Sequence, residues 1–521
     1  MQSRGGRPAA AMDAVLLLLA SACLLAGVLL HLFYRRRYSH WRRRGVPGAE
    51  PSFPFGNYGA VAGGRANFLQ VTNSLAAAHR GVGYCGAFRW HKPVLLVWEP
   101  ELVRQVLSAD FASFHDRGPP ADRGDPMSQT LFNMDGQRWR NLRSRLTPAF
   151  SSAKVRGMLP LMLDVARELV SQTALEAERS PQHEVDMGRL LSHFATDVIG
   201  SVAFGIQCNT LRDHDNEFLA MSKRPFQQTL RRLVRHALIA IHPRLGALLP
   251  FKRIFPDVHT FFIDLMKDTV EQRERHKVVR KDFVQLMLQA RSAELADADD
   301  PEHHIELTPE VMAAQGFNFF SAGLDTFANT VGFTLNRLAG DEELQDRVAA
   351  EVRRVAGDEH AAGELSYDAL QGMDLVKRVV LEGLRLWSPQ DVLVRRCNAT
   401  TRVGDLTVEE GREVLVVASV NNTDEDIFPE PARFDPDRHT AENRKRRHPY
   451  AFLPFGEGPR ACIAERFALL EMQLALAVLV RAFRFSPGPR YEREVQLDTK
   501  TIFHSPKNGF PLKVEVRHFD K

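Results

Sequence analysis

Residues 453–473 read LPFGEGPRACIAERFALLEMQ. One cysteine, Cys462, sits in a loop of glycine, proline and arginine that runs into an apolar helical pattern. Gly456 and Gly458 permit a tight backbone, and Pro459 stiffens the approach. A helix that begins just after Cys462 aims backbone N–H groups at the sulfur, and such groups stabilise a thiolate. Four roles are open to this cysteine: core packing, half of a disulfide, a nucleophile or a metal ligand. The other cysteines, Cys23, Cys85, Cys208 and Cys397, are far apart and make no CxxC pair. That weighs against a disulfide scaffold and a structural zinc site. A metal at Cys462 would therefore bring its other ligands with it, as haem does, and thiolate is one of the axial ligands of haem.

Phe455, Gly458, Arg460 and Cys462 stand at the spacing FxxGxRxCxG, with Ala464 at the last position. The segment resembles the haem-binding signature of the cytochromes P450, in which the last position is usually glycine. Ala464 adds one methyl and, inside a helix, would be favoured over glycine by roughly 0.8–1 kcal/mol.

Three further signatures occur in the order the family has them. Residues 309–339 form a long apolar pattern with Thr308 as a cap, Pro309 at the first helical position and Gly340 as a stop. A helix of that length spans about 46 Å and, being apolar nearly all round, must cross the centre of the protein. Within it, SAGLDT (Ser321–Thr326) resembles the family's oxygen-binding motif. Ala322 and Gly323 are small enough to let a cofactor approach the backbone, and Asp325 and Thr326 are polar in an apolar helix. One reading is proton delivery by both; the other is a threonine bonded back to its own helix, with Asp325 in a salt bridge. Glu382 and Arg385 share a helix face at i,i+3, and the resemblance implies a buried structural cluster completed by Arg433 in PARF. Trp139 and Arg143 match WxxxR, and at i,i+4 both can reach a haem propionate. The resemblance adds Arg460 and Arg395 as propionate ligands, with Arg396 adjacent to the second, and places Phe455 in the cofactor-binding loop.

The fold expected is mainly α with a smaller β part, a cytochrome P450 fold behind one N-terminal transmembrane helix. Residues 1–34 are read as a membrane anchor, 35–55 as a basic, proline-rich linker, and 56–521 as the catalytic domain. The run Ala14–Leu30 has no charge over 17 residues, the short end of a spanning helix, and Phe33 extends it. Six arginines follow within residues 35–44, and basic residues beyond a span hold that side in the cytosol. Pro47, Pro51 and Pro54 suggest a semi-rigid spacer. The net charge of +4 comes mostly from that arginine cluster, so nucleic-acid binding is not indicated.

Elsewhere, PVLLVW (Pro93–Trp98) reads as a strand and PELVRQVLS as a helix. Residues 128–290 read as nearly all helical, 293–306 as an acidic loop, and 399–419 as strand-like. YSHWRRRGVPGAEPSFPFGN, FHDRG and LFNMDGQRWRNLRSRLTPAFSS look like the insect microsomal members that oxidise plant toxins, insecticides and hormones.

That resemblance implies a haem-thiolate monooxygenase of the endoplasmic reticulum. It would insert one atom of O2 into a lipophilic substrate. Its electrons would come from NADPH through NADPH–cytochrome P450 reductase, with cytochrome b5 as a second donor. Arg444–Arg447, with Arg138, Arg140 and Arg145, would suit an acidic flavoprotein. Two rival readings use the same cofactor, a peroxide isomerase and a haem-holding binder; the intact Asp325–Thr326 pair speaks against both. Phe111, Phe114, Phe319, Phe320 and Phe503 suggest an aromatic pocket, with contacts expected from 110–130, 217–255, the first half of the central helix, 390–394 and 501–510.

Overall fold

The computed structural model describes residues 7–118, 125–213, 216–224, 256–294, 305–357 and 365–517. Parts of the expected pocket wall (119–124 and 225–255) and most of the acidic loop (295–304) lie outside the described residues. The longer helices are α1 (Arg7–Tyr38), α2 (Phe68–Ala77), α3 (Gly136–Leu146), α4 (Ser152–Arg179), α5 (Met187–Ile199) and α6 (Pro256–His276). They continue with α7 (Phe283–Glu294), α8 (Pro309–Ala339), α9 (Glu342–Ala356), α10 (Asp374–Leu386) and α11 (Glu465–Ala482). The strands are β1 (Tyr84–Arg89), β2 (Lys92–Val97), β3 (Glu184–Asp186), β4 (Val392–Arg396), β5 (Thr401–Val403), β6 (Leu406–Val408), β7 (Glu413–Val417), β8 (Phe483–Pro487) and β9 (Pro511–Val516).

Helix α8 starts as its sequence dictates. The Thr308 side chain accepts the Val311 N–H, and Pro309 opens the first turn. The helix crosses the largest core, packed by α5, α6, α10 and α11. Gly383 of α10 lets that crossing close, because a Cβ there would collide with the Thr334 hydroxyl. Burial of most of its side chains is what holds so long a helix in place.

A four-stranded sheet in the order β1-β2-β7-β4 makes a second layer, with β2 parallel to β7 and the other pairs antiparallel. Its register sets Leu95 opposite Val414 and Val394 opposite Leu415. The strand-like stretch 399–419 is broken into three strands. Gly404 and Gly411 take positive φ and turn the chain, and Ala418–Asn422 closes into a helical turn. Likewise β3 interrupts the helical region before residue 290 and pairs with β9 near the C-terminus.

The apolar side chains of α1 from Val15 to Phe33 are exposed. The stretch 35–55, expected as a spacer, is folded onto the body. Trp41 is buried and donates from Nε1 to the Ala87 carbonyl at 2.9 Å. Gly86 makes room for it, since a Cβ there would strike the indole. Val46 is buried beside Trp41 in the same core cluster as Phe88 and Leu95.

Candidate active site

The Cys462 loop is preset by its backbone. Gly456 and Gly458 have φ of 72° and 76°, the left-handed region that favours glycine. A Cβ on Gly458 would collide with the Leu107 carbonyl. The Cys462 N–H donates to the Phe455 carbonyl at 2.9 Å, and Ala461 N–H to Gly458 at 3.0 Å. Helix α11 then begins at Glu465, with Ala464 at its N-cap position.

Burial pushes the Cys462 thiol pKa up, while the Ala464 N–H and the Arg143 and Arg117 charges pull it down. Its side chain is nonetheless accessible, and so is Ala322 in the middle of α8, flanked by the buried Phe320 and Leu324. Accessibility at the centre of a core helix means that an inner cavity opens there. Among the described residues no group of three or more His, Cys, Asp or Glu side chains converges to hold a metal ion. A metal at Cys462 would have to arrive with its own ligands.

Four arginines gather at the Cys462 loop, and two of them, Arg143 and Arg117, act on the thiol. Arg143 on α3 donates to the Ala461 carbonyl at 2.9 Å, and Arg117 donates to the Arg460 carbonyl at 2.5 Å. Arg395 on β4 is buried, with its Nε unpartnered. Burial, then the Arg117 and Arg460 charges, hold its pKa well below the usual guanidinium range. Arg117 is lowered to about 10 and Arg460 to about 9, burial being the larger cause in each. A group carrying carboxylates fits this donor set, since it would relieve the repulsion and fill the orphaned Nε.

The neighbouring Arg396 points elsewhere and pairs with Asp116 at 2.6 Å and Asp135 at 3.1 Å. Arg395 is therefore the arginine of that pair that meets Arg117 and Arg460. Arg460 acts chiefly as a brace: its guanidinium donates to the carbonyls of His115, Leu131 and Met134. Arg117, in FHDRG, is the member of the group that reasoning from the motifs did not assign.

On the α8 side, Thr326 donates from Oγ1 to the Ala322 carbonyl at 2.5 Å, the back-bonded arrangement. Asp325 is half-buried one residue earlier.

The buried Glu382 is gripped at both oxygens by Arg385, at 2.7 and 2.8 Å. Arg433 does not complete this cluster with its side chain, as expected from PARF. Its guanidinium is exposed beside Glu430, and only its carbonyl accepts from Arg385, at 3.2 Å. The cluster is completed by His439, whose Nε2 lies 2.9 Å from Glu382, and by Arg438 at 3.5 Å. A second Pro-x-Arg, Pro436-Asp437-Arg438, carried that signal in the sequence.

The expected aromatic pocket is also reduced. Phe114 and Phe320 are fully buried, and Phe319 is packed between Phe150 and Phe283. Phe111 keeps part of its surface beside Trp139, and Phe503 part of its own.

The family model described as Cytochrome P450 matches residues 46–514. Among curated relatives, "Probable cytochrome P450 6a13" of Drosophila melanogaster is 34% identical over 493 residues, covering 94% of this chain and 97% of that protein. "Cytochrome P450 6a2" of the same fly is 33% identical over 512 residues, covering 96% and 99%. "Cytochrome P450 6A1" of Musca domestica is 34% identical over 523 residues, covering 97% and 99%.

Proposed function

This chain belongs to the cytochrome P450 family and is a haem monooxygenase; we propose that it is a microsomal enzyme that oxidises lipophilic small molecules with electrons from NADPH. The observation that carries this reading is an accessible Cys462 in a glycine-preset loop, with Arg117, Arg143 and Arg395 gathered at that loop. Bound there, haem supplies the activation of O2 and the transfer of one of its oxygen atoms.

The chain's own residues do the rest. Cys462 offers a thiolate, held by the loop's glycines and favoured by the Ala464 N–H. Arg117, Arg143 and Arg395 would hold the propionates, and Arg460 braces the loop against Trp139. The Thr326 hydroxyl, bonded to the Ala322 carbonyl, would turn away from it during the reaction and, with Asp325, hold or pass a proton on that side of α8. Glu382, Arg385, Arg438 and His439, bonded to one another in the core, keep the loop's support rigid. The substrates we assign are xenobiotics, plant toxins, insecticides or hormone-like molecules, on the likeness to the fly proteins.

We place the catalytic body on the cytosolic face of the endoplasmic reticulum, behind α1 as a single-pass anchor, since the arginines follow the apolar run. The partners are NADPH–cytochrome P450 reductase and cytochrome b5. Arg140, Arg444, Lys445 and Arg446 offer exposed cations to an acidic flavoprotein, whereas Arg447 is turned inward over Phe428.

Reconstitution of the purified protein with reductase, NADPH and lipophilic probes tests the reading. Substrate-dependent, O2-derived product is expected; bound haem with no product from any probe would favour a binder. A red-shifted Soret band of the reduced carbonyl complex that survives Cys462→His would sink the ligand assignment.

A further inference from the structure

We propose that Gln315 is a positioning residue for the cofactor: through Leu131 it ties α8 to the Cys462 loop, and this tie slows the loss of haem. The inference rests on the haem reading above.

Gln315 is a polar residue in the apolar run of α8, wholly buried and two turns before the accessible Ala322. A buried amide costs free energy unless its oxygen and its nitrogen both find partners. Its Oε1 accepts the Leu131 N–H at 2.8 Å, and its Nε2 donates to the Gln129 carbonyl at 2.7 Å. Both partners are backbone groups of the segment that leads into α3. That segment is a turn, closed by the Met134 N–H on the Thr130 carbonyl at 2.9 Å. Backbone groups buried there must look to side chains for their hydrogen bonds.

The Leu131 carbonyl goes to Arg460, at 3.4 Å, and the same guanidinium holds the Met134 carbonyl at 2.7 Å. One buried residue thus has its N–H held by α8 and its carbonyl held by the loop of Cys462. Those partners lie 184 and 329 residues away along the chain, so the tie exists only in the assembled fold.

The segment also reaches the groups assigned to the propionates. Gln129 Oε1 accepts from Arg138 at 2.7 Å, on the helix that carries Trp139 and Arg143. The Arg117 guanidinium lies 4.6 Å from the centre of the Phe132 ring and donates to the Arg460 carbonyl. A shift of residues 129–134 would therefore disturb Arg117, Arg460 and α3 together. Gln315 itself bonds this segment and, at 3.3 Å, the Val311 carbonyl of its own helix. Its action on the loop passes through the segment.

The test uses the full-length holoprotein, with haem release followed by transfer to a haem-accepting apoprotein. Gln315→Met keeps the length of the side chain and removes both amide bonds; it should release haem about tenfold faster than wild type. Gln315→Glu is the conservative control. A carboxyl buried there keeps its proton, so one oxygen still accepts from Leu131 and the hydroxyl donates to Gln129. Its release rate should stay close to that of wild type, and amide exchange across 129–134 should rise in the methionine variant alone. Wild-type release from Gln315→Met, or equally fast release from Gln315→Glu, would overturn the proposal.

Gln315→Met combined with Arg460→Lys separates a tie from a local packing effect. Effects at independent sites add in free energy and so multiply in rate. Because both residues act through Leu131, the double variant should release haem about as fast as Arg460→Lys alone. Rates that multiply would show that Gln315 steadies α8 without reaching the loop. Should Gln315→Met fail to fold, exchange in the wild-type holoprotein decides: a Leu131 amide that exchanges as fast as an exposed one would overturn the tie. A wild-type protein that takes up no haem would sink the haem reading, and this inference with it.

Discussion

The guanidinium carbon of Arg460 lies 3.9 Å from the centre of the Trp139 ring. This contact joins α3 to the Cys462 loop, and the same guanidinium ties in the carbonyls of His115, Leu131 and Met134. A lysine would keep the charge but lose the planar fork and most of the stacking. Losing one charge-assisted hydrogen bond costs ~1.5–3 kcal/mol. Arg460→Lys should therefore release haem about 10- to 100-fold faster, measured by transfer to a haem-accepting apoprotein. Wild-type retention in that variant would mean that the brace is dispensable.

The Glu382 cluster makes a sharper contrast. Breaking a buried pair by removing one partner costs ~3–5 kcal/mol, because a charge stays buried without compensation. Glu382→Ala, which strands Arg385, should cost that much, and Arg438→Ala a smaller part of it. Arg433→Ala should stay within ~0.5 kcal/mol of wild type, its side chain being at the surface. Thermal melts and the yield of the thiolate-type carbonyl band read all three. Equal loss from Arg433→Ala would restore the arginine first expected there.

The same cluster sets an acid limit. Burial alone would raise the Glu382 pKa, but hydrogen bonds from Arg385 and His439 outweigh it and hold it below its ordinary value of 4.5. Its contribution is full above that value and lost as pH falls through the lower, folded one. His439 is lowered from 6.5, chiefly by burial. The unfolded chain therefore takes up its proton first, and stability declines as pH drops below 6.5 toward the folded pKa. Both effects act in the acid direction. His439→Gln keeps a donor that does not titrate, so melts recorded against pH should lose the part of the decline nearest pH 6.5. An unchanged profile would show that His439 does not contribute to it.

Much of this site was legible because its chemistry needs fixed spacings on one element. Cys462 with its glycines, Asp325 with Thr326, and Glu382 with Arg385 each lie within one loop or helix, where sequence distance determines spatial distance. The long helix α8 was legible to its ends through Thr308, Pro309 and Gly340. Readings failed where a residue's direction depends on a partner far along the chain. Arg433 and Arg438 both follow a proline at the same interval, and only the fold turns the second toward Glu382. Arg395 and Arg396 alternate across β4, so the register with β7 decides which faces inward. The packing of 35–55 onto the body was hidden similarly, because nothing local shows that Trp41 finds space over Gly86.

On α8, Thr326 bonds its own helix. Removing its hydroxyl should leave haem content and the carbonyl spectrum alone, since neither depends on that group. General acid–base groups contribute ~10²–10⁴-fold to the steps they serve. Thr326→Ala should lower product per NADPH consumed several-fold and raise released peroxide. Asp325→Asn should slow turnover itself. Unchanged coupling in Thr326→Ala would leave the back-bonded role as its whole function.

Ala464 stands where the family usually has glycine, and its backbone conformation does not require one. Its φ of −98° and ψ of 14° are open to any L-residue, so no left-handed turn demands glycine. The position is the N-cap of α11, not its interior. The advantage of alanine over glycine inside a helix therefore does not apply, and at an N-cap glycine is if anything preferred. Against this, glycine adds freedom to the unfolded chain, at a cost of ~0.4–1 kcal/mol. The two effects oppose each other, so Ala464→Gly should change stability by less than about 0.5 kcal/mol. Haem content on expression should be unaltered. A marked rise in haem content would mean that the methyl crowds the porphyrin, and that α11 approaches it more closely than the loop geometry implies.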